Sequence, residues 1–246
     1  MITIENLDFA YGKQKVFENI NLSFKEGCIY GLLGENGVGK TTLLKIITGL
    51  QNPNSGVCIV DDKKAFDRNP EFLQDIFFLP EGVIAQTYTT PIKYADNLGK
   101  FYPNYDRNFF ISLMKEMDVD GTKKFEQLSY GQQKKAMFCF AVALKTRYLL
   151  LDEPTNGLDI PSKSDFRRIL SHACTDHTTV IISTHQVKDV ENLIDPIVIL
   201  TKDDVLINAS IEEIATKLYF SFDHEKNDQA IYTEMVPGGF INVMRN

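Results

Sequence analysis

Gly34-Glu35-Asn36-Gly37-Val38-Gly39-Lys40-Thr41-Thr42 separates two different hydrophobic rhythms, and that junction decides the fold. Before it, Ile29, Tyr30, Leu32 and Leu33 read as a buried strand; after it, Leu43, Leu44, Ile46 and Ile47 recur at helical spacing. The stretch itself fits G-x-x-x-x-G-K-[ST], the pattern of a phosphate-binding loop. Its chemistry requires this order. Glycines let successive backbone N–H groups turn inward around phosphate oxygens, the following helix adds its positive N-terminal end, and Lys40 supplies a point charge. Thr41 then offers a hydroxyl to Mg2+.

The 246 residues suffice for one large α/β domain with a small appendage, and 43% hydrophobic content is ample for a core. The longest strictly apolar run, Ala136 to Leu144, is closed by Lys135 and Lys145 and falls far short of the roughly 20 residues a bilayer span needs. Met1 to Glu5 begins an alternating strand without the basic and apolar regions of a signal peptide, so a cytoplasmic placement is expected. Cys28, Cys58, Cys139 and Cys174 stand singly and are expected as buried thiols of a reducing compartment, not as disulfides or zinc ligands. Net charge is −7, with 26 basic against 33 acidic residues and no long basic cluster, which argues against nucleic acid as the main partner.

Along the chain, Ile2–Phe9 and Val16–Phe24 alternate around Gly12-Lys13-Gln14 as a hairpin, and Gln51–Gly56 is a turn before a short strand Val57–Val60. A strand over Ile76–Leu79 ends at Pro80. Thr90-Pro91 and Asp106 start two helices of a helical insert, about residues 82–131. An apolar helix follows Leu128, then the strands Tyr148–Leu151 and Thr179–Ser183 flank a helix around Phe166–Leu170, which implies a parallel sheet. Ile197–Leu200 and Val205–Ile207 flank the polar turn Thr201–Asp204, and Ser210 with Glu213 forms a capping box. The main domain is expected over residues 1–219, with a strand-rich tail over 220–246.

Tyr148-Leu149-Leu150-Leu151-Asp152-Glu153 is an apolar run that ends in two acids. Asp152, at the strand end, is placed to hold Mg2+ opposite Thr41, and Glu153 to polarise a water for attack on a γ-phosphate. A helix opened by Ser129 and kept unobstructed by Gly131 is a further anion site.

With these elements in place, the chain resembles the ATP-binding cassette (ABC) ATPase subunit of ABC transporters. Leu128-Ser129-Tyr130-Gly131-Gln132 matches the family's signature L-S-x-G-Q, Asn156-Gly157-Leu158-Asp159 resembles its D-loop, and His185 after Ser183-Thr184 resembles its switch histidine. Tyr11 stands where the family places an aromatic that stacks on adenine. The resemblance implies an α/β P-loop NTPase cassette with a mainly parallel core sheet, an antiparallel β subdomain and an inserted helical subdomain. It implies ATP and Mg2+ as cofactors. The nucleotide would be bound by Tyr11, by Gly34, Glu35, Asn36, Gly37, Val38, Gly39, Lys40, Thr41 and Thr42, and by Ser129, Gly131, Gln132 and Asp159. Catalysis would fall to Glu153, His185 and Lys40, and metal binding to Thr41, Asp152 and Glu81.

The resemblance further implies that the signature helix of one subunit completes the ATP site of a second copy or a related cassette. Opening and closing of that pair would drive a separate membrane permease, with the chain peripheral on the inner face of the membrane. One position departs from the pattern: after Phe77-Phe78-Leu79-Pro80 the family's Q-loop carries Gln, and this chain has Glu81. The segment Gly82–Pro91 is expected to face the permease. The compact insert and the separate cassette favour an exporter of drug or lipid type. A soluble member of the same fold, such as an iron-sulfur assembly ATPase, is the alternative. A coiled-coil chromosome-maintenance ATPase is excluded by the short 41–128 stretch between Lys40 and Ser129, tandem-cassette translation factors by the single phosphate loop, and a small-molecule kinase is disfavoured by the lack of acceptor-pocket motifs.

Overall fold

The computed structural model describes residues 1–202 and 204–246, so Asp203 of the polar turn lies outside the described residues. In chain order the strands are β1 (Ile2–Tyr11), β2 (Gln14–Phe24), β3 (Ile29–Leu33), β4 (Ser55–Val60), β5 (Lys63–Lys64), β6 (Ile76–Leu79), β7 (Tyr148–Asp152), β8 (Thr179–Thr184), β9 (Ile197–Leu200), β10 (Val205–Ala209), β11 (Leu218–Asp223), β12 (Tyr232–Val236) and β13 (Gly239–Arg245). The helices are α1 (Lys40–Ile47), α2 (Pro70–Asp75), α3 (Pro91–Leu98), α4 (Arg107–Glu116), α5 (Tyr130–Ala143), α6 (Ile160–Ala173) and α7 (Ile211–Lys217). They fall into two compact units, Met1–Asn208 and Ala209–Asn246.

The first unit is built around a six-stranded sheet in the order β10-β9-β3-β8-β7-β6, in which β3, β6, β7, β8 and β9 pair in parallel. Its central strands β3, β8 and β7 are buried on both faces, which explains why they read as largely apolar runs. In β7, Leu149 and Leu151 join one core with Phe110, Phe138, Phe140 and Phe166; Tyr148 and Leu150 join a second with Leu43, Leu44 and Ile47 of α1. An antiparallel sheet, β2-β1-β4-β5, closes over the second core through Ile2, Ile4, Leu22 and Phe24.

The helical insert starts where capping side chains sit: Thr90 accepts from the Lys93 amide at 3.2 Å before α3, and Asp106 from Phe109 at 2.9 Å before α4. Helix α5 is buried continuously from Ala136 through Leu144, so the longest apolar run of the chain is a core helix. No helix among the described residues is long and apolar enough to cross a membrane. Helix α2 has no counterpart in the sequence reading: it is short, and Asn69-Pro70 reads equally as a turn, whereas the Asn69 side chain accepts from Phe72 at 2.8 Å and caps it. Among the thiols Cys58 and Cys139 are buried, and Cys28 and Cys174 are only half-buried because each lies where an element meets a loop. All four are free.

The second unit holds α7, opened by the Ser210–Glu213 capping box, and a three-stranded antiparallel sheet, β11-β13-β12. It begins at Ala209, so the capping-box helix groups with the tail strands.

Candidate functional site

Strands β3, β8 and β7 are neighbours, and their carboxyl ends bring three loops together: Gly34–Gly39 after β3, Ser183–His185 at the end of β8, and Asp152-Glu153 at the end of β7. The registers Leu33↔Thr184 and Asp152↔Ser183 set these ends side by side. In open α/β sheets this edge is where ligands bind.

Between β3 and α1 the backbone turns at Gly37 (φ 86°) and Gly39 (φ 108°), in the left-handed region that side chains resist. At Gly39 an added Cβ would also lie 2.7 Å from the Phe17 ring. Lys40, 6% exposed, donates through Nζ to the Gly34 carbonyl at 2.8 Å and the Glu35 carbonyl at 3.0 Å, which centres its charge within the loop. Thr41 Oγ1 donates to Asp152 Oδ2 at 2.7 Å, joining the start of α1 to the end of β7. Ser183 Oγ donates to Asp152 Oδ1 at 2.5 Å, so both oxygens of that carboxylate are aimed.

Glu153 is 8% exposed and sits at φ 45°, unusual for a residue with a side chain. Its amide donates to the Ser183 carbonyl at 3.0 Å. The carboxylate Oε1 lies 2.8 Å from His185 Nδ1, which places the donated proton on that nitrogen, and 3.8 Å from Lys40 Nζ. A depression of about 450 Å3 opens beside these groups, bordered by Gly34, Glu35, Asn36 and His185. Tyr11 lies across the loop, 47% exposed, its hydroxyl 3.3 Å from Thr42 Oγ1 and its ring edge-on to Phe9 at 4.8 Å.

The structure thus unites the phosphate loop, Asp152, Glu153, His185 and Tyr11. It does not bring Ser129, Gly131, Gln132 and Asp159 into bonding contact with that loop. Ser129 Oγ accepts from the Gln132 amide at 3.2 Å and Gln132 Oε1 from the Ser129 amide at 3.0 Å, so the Gln132 side chain is turned back onto the start of α5. Asp159 caps α6 on the Ser162 amide at 2.8 Å, and hydrogen bonds from Ser162 hold its carboxyl below the usual carboxylate range. Glu81, after β6, accepts from Asn156 Nδ2 at 2.6 Å.

Two residues that the motifs did not single out contribute. Ser183 orients Asp152 and also approaches the Glu153 amide with its hydroxyl, at 3.2 Å; the signal was a hydroxyl ending an otherwise apolar strand. Lys134, buried on α5, donates to the Glu153 and Asn156 carbonyls, and a lysine beside an apolar helical run was the corresponding signal.

Residues 17–156 match the family model described as ABC transporter. The chain is 29% identical over 256 residues to the ABC transporter ATP-binding protein YtrB of Bacillus subtilis (strain 168), covering 96% of this chain and 87% of that protein. It is 30% identical over 240 residues to the bacitracin transport ATP-binding protein BcrA of Bacillus licheniformis, covering 95% and 74%. Among solved structures, the dimeric post-hydrolysis state of the ATP-binding cassette MJ0796 bound to ADP and Pi superposes with a TM-score of 0.76 at 25% identity, covering 86% of this chain and 99% of that one. With the family model spanning most of the cassette and the loops meeting as they do, the chain belongs to the ABC transporter family of ATP-binding proteins and is an ABC ATPase.

Proposed function

We propose that this chain is the ATP-hydrolysing subunit of an ABC transporter and drives a separate membrane permease through an ATP-dependent head-to-tail dimer. The observation that carries this reading is an open apolar groove of about 670 Å3 away from the phosphate loop, bordered by Leu50, Phe77, Phe78, Ile84, Leu98 and Phe101. Phe101 is 67% exposed, Ile84 55% and Leu50 53%. Large apolar side chains gathered on one exposed surface suit an interaction site, and a groove of this kind accepts the apolar face of a short helix from a permease. The groove includes Pro80 and Ile84, on either side of Glu81, so a partner seated there adjoins a loop that bonds to the catalytic turn. This favours a membrane-attached subunit over a soluble member of the fold. The compact insert supports export as the direction.

At the site, the backbone of Gly34–Gly39 and Lys40 cradle the phosphates, Thr42 in the first turn of α1 adds a hydroxyl beside them, and Tyr11 stacks on the adenine. Glu153 takes a proton from the attacking water as its oxygen bonds the γ-phosphorus and the bond to the ADP oxygen breaks. His185, bonded to the Glu153 carboxylate, fixes its direction. Thr41 and Asp152 offer hard oxygen donors 2.7 Å apart, a set that suits Mg2+, which is commonly bound by one or two side chains plus phosphates. Bound there, the ion would neutralise phosphate charge. Glu81 is proposed as an additional metal and coupling residue.

Gly131 supports completion of the site by a second copy. An added Cβ there would meet only the Gly157 carbonyl, at 3.9 Å, and the backbone is not left-handed. No contact among the described residues demands glycine, which fits an approach from outside, the partner's bound nucleotide, with Ser129, Gln132 and Asp159 around it.

The test is cell fractionation. The chain should sediment with a multi-span membrane protein, and Phe101→Asp should release it while the purified variant still hydrolyses ATP. A wild-type chain found wholly in the soluble fraction would overturn the permease reading.

A further inference from the structure

Lys134 lies one turn into α5 beyond Ser129, 8% exposed, and its ammonium points inward. It donates to the Glu153 carbonyl at 3.2 Å and to the Asn156 carbonyl at 2.6 Å. Both carbonyls belong to one turn, closed by the Asn156 amide on the Glu153 carbonyl at 3.2 Å. Asn156 is shared, because its side-chain amide donates to Glu81 Oε1 at 2.6 Å while its carbonyl accepts from Lys134. The Tyr130 hydroxyl, from the first turn of α5, also reaches the Glu81 carbonyl at 3.4 Å. A lysine on a helix flank ordinarily extends its head into water; this one satisfies carbonyls instead.

Burial holds the ammonium's pKa below its ordinary value, and the carboxylates of Glu81, Glu153 and Asp152 offset only part of that. Its direct partners are the two carbonyls, and Glu81 joins them through Asn156. Charge-assisted bonds of this kind are the stronger ones, and removing one partner leaves the other buried and unmatched. None of the contacts involves the phosphate loop.

We propose that Lys134 is a positioning residue that fixes the turn Glu153–Asn156, and that Glu81 braces the same turn through the Asn156 side chain, so the loop after β6 helps to set the aim of the catalytic carboxylate. The proposal rests on Glu153 as the general base.

The experiment is steady-state hydrolysis of Mg-ATP by the full chain and its variants. Lys134→Gln should lower kcat about 10- to 100-fold, the scale of a misplaced catalytic group, with KM for ATP within about twofold of wild type. At saturating Mg2+, Glu81→Ala, which removes the acceptor for Asn156, should lower kcat less than Lys134→Gln does, and in the Lys134→Gln background it should cost less than it does alone, because the shared turn is then already loose.

An equal effect of Glu81→Ala in both backgrounds, or a wild-type kcat for Lys134→Gln, would overturn the proposal. If Lys134→Gln loses ATP binding and helical circular dichroism, Lys134→Met, of similar volume, takes its place in the same comparison and is read the same way. Glu153→Gln is assayed alongside: normal turnover there removes the base assignment, whereas a dead Glu153→Gln with a fully active Lys134→Gln removes only the role of Lys134.

Discussion

Replacing Glu153 with glutamine keeps the shape of the side chain and removes both its charge and its basicity. In the structure the carboxylate Oε1 lies 2.8 Å from His185 Nδ1 and 3.8 Å from Lys40 Nζ, so an amide oxygen can retain the bond to His185 and the variant should fold. Loss of a positioned base is worth about 10²- to 10⁴-fold in rate. A unit of negative charge is also removed beside the place of the γ-phosphate. At about 4 Å and an effective dielectric of about 20, two like unit charges repel by roughly 4 kcal/mol, which is an upper bound here because Lys40 already screens the carboxylate. Turnover should therefore fall at least about 10²-fold while ATP is held more tightly and the closed dimer persists. The assay is phosphate release together with gel filtration in ATP and Mg2+. A variant that stays monomeric under those conditions and hydrolyses at the wild-type rate would refute the reasoning.

Gly131→Asp, placed where the chain itself leaves open space, should preserve ATP binding and abolish turnover through repulsion of the partner's γ-phosphate; unchanged activity at saturating ATP would reject the role in trans. Glu81→Gln should retain most activity and Glu81→Ala should shift the Mg2+ dependence of the ATPase to higher concentration, and superimposable curves for Ala and wild type would leave Glu81 no metal role. Tyr11→Ala should raise KM for ATP about tenfold, the scale of one base–aromatic stack, with kcat preserved; an unchanged KM would exclude stacking. Hydrogen bonds from the Lys145 ammonium and the Phe109 amide hold the Asp106 carboxyl below its ordinary value. A depressed folded-state pKa adds stability that is present above about pH 4 and is lost as pH falls through the folded value. Asp106→Asn should accordingly flatten the dependence of melting temperature on pH below about 4, and identical profiles would show that the pair adds nothing.

Much of the core was legible because its signals are local. A four-residue apolar run such as Tyr148–Leu151, closed by Asp152, announces a strand buried on both faces, and Thr90, Asp106 and Ser129 announce helix starts because a capping side chain bonds an amide only a few residues ahead. What sequence could not show depended on pairs distant along the chain. That Ser183 aims Asp152 follows from β7 and β8 being neighbours in register, and that Lys134 points inward follows from where the turn Glu153–Asn156 passes α5. The same limit applies to Glu81: its strand end was readable, its partner Asn156 was not. Gly131 is the converse case, a residue whose presence the sequence displays and whose reason no contact among the described residues supplies.

With Glu153 as the proposed base, the left-handed backbone there sets a conflict between durability and turnover at a single position. Glycine and asparagine occupy that conformation at little cost, whereas a glutamate held there gives up about 1–2 kcal/mol. Neither of those residues can accept a proton from water at neutral pH. Selection for heat resistance alone would therefore drift away from glutamate at 153, and selection for hydrolysis would restore it. A laboratory lineage evolved only for thermal endurance should lose this side chain early, and with it ATP turnover, while keeping the rest of the cassette.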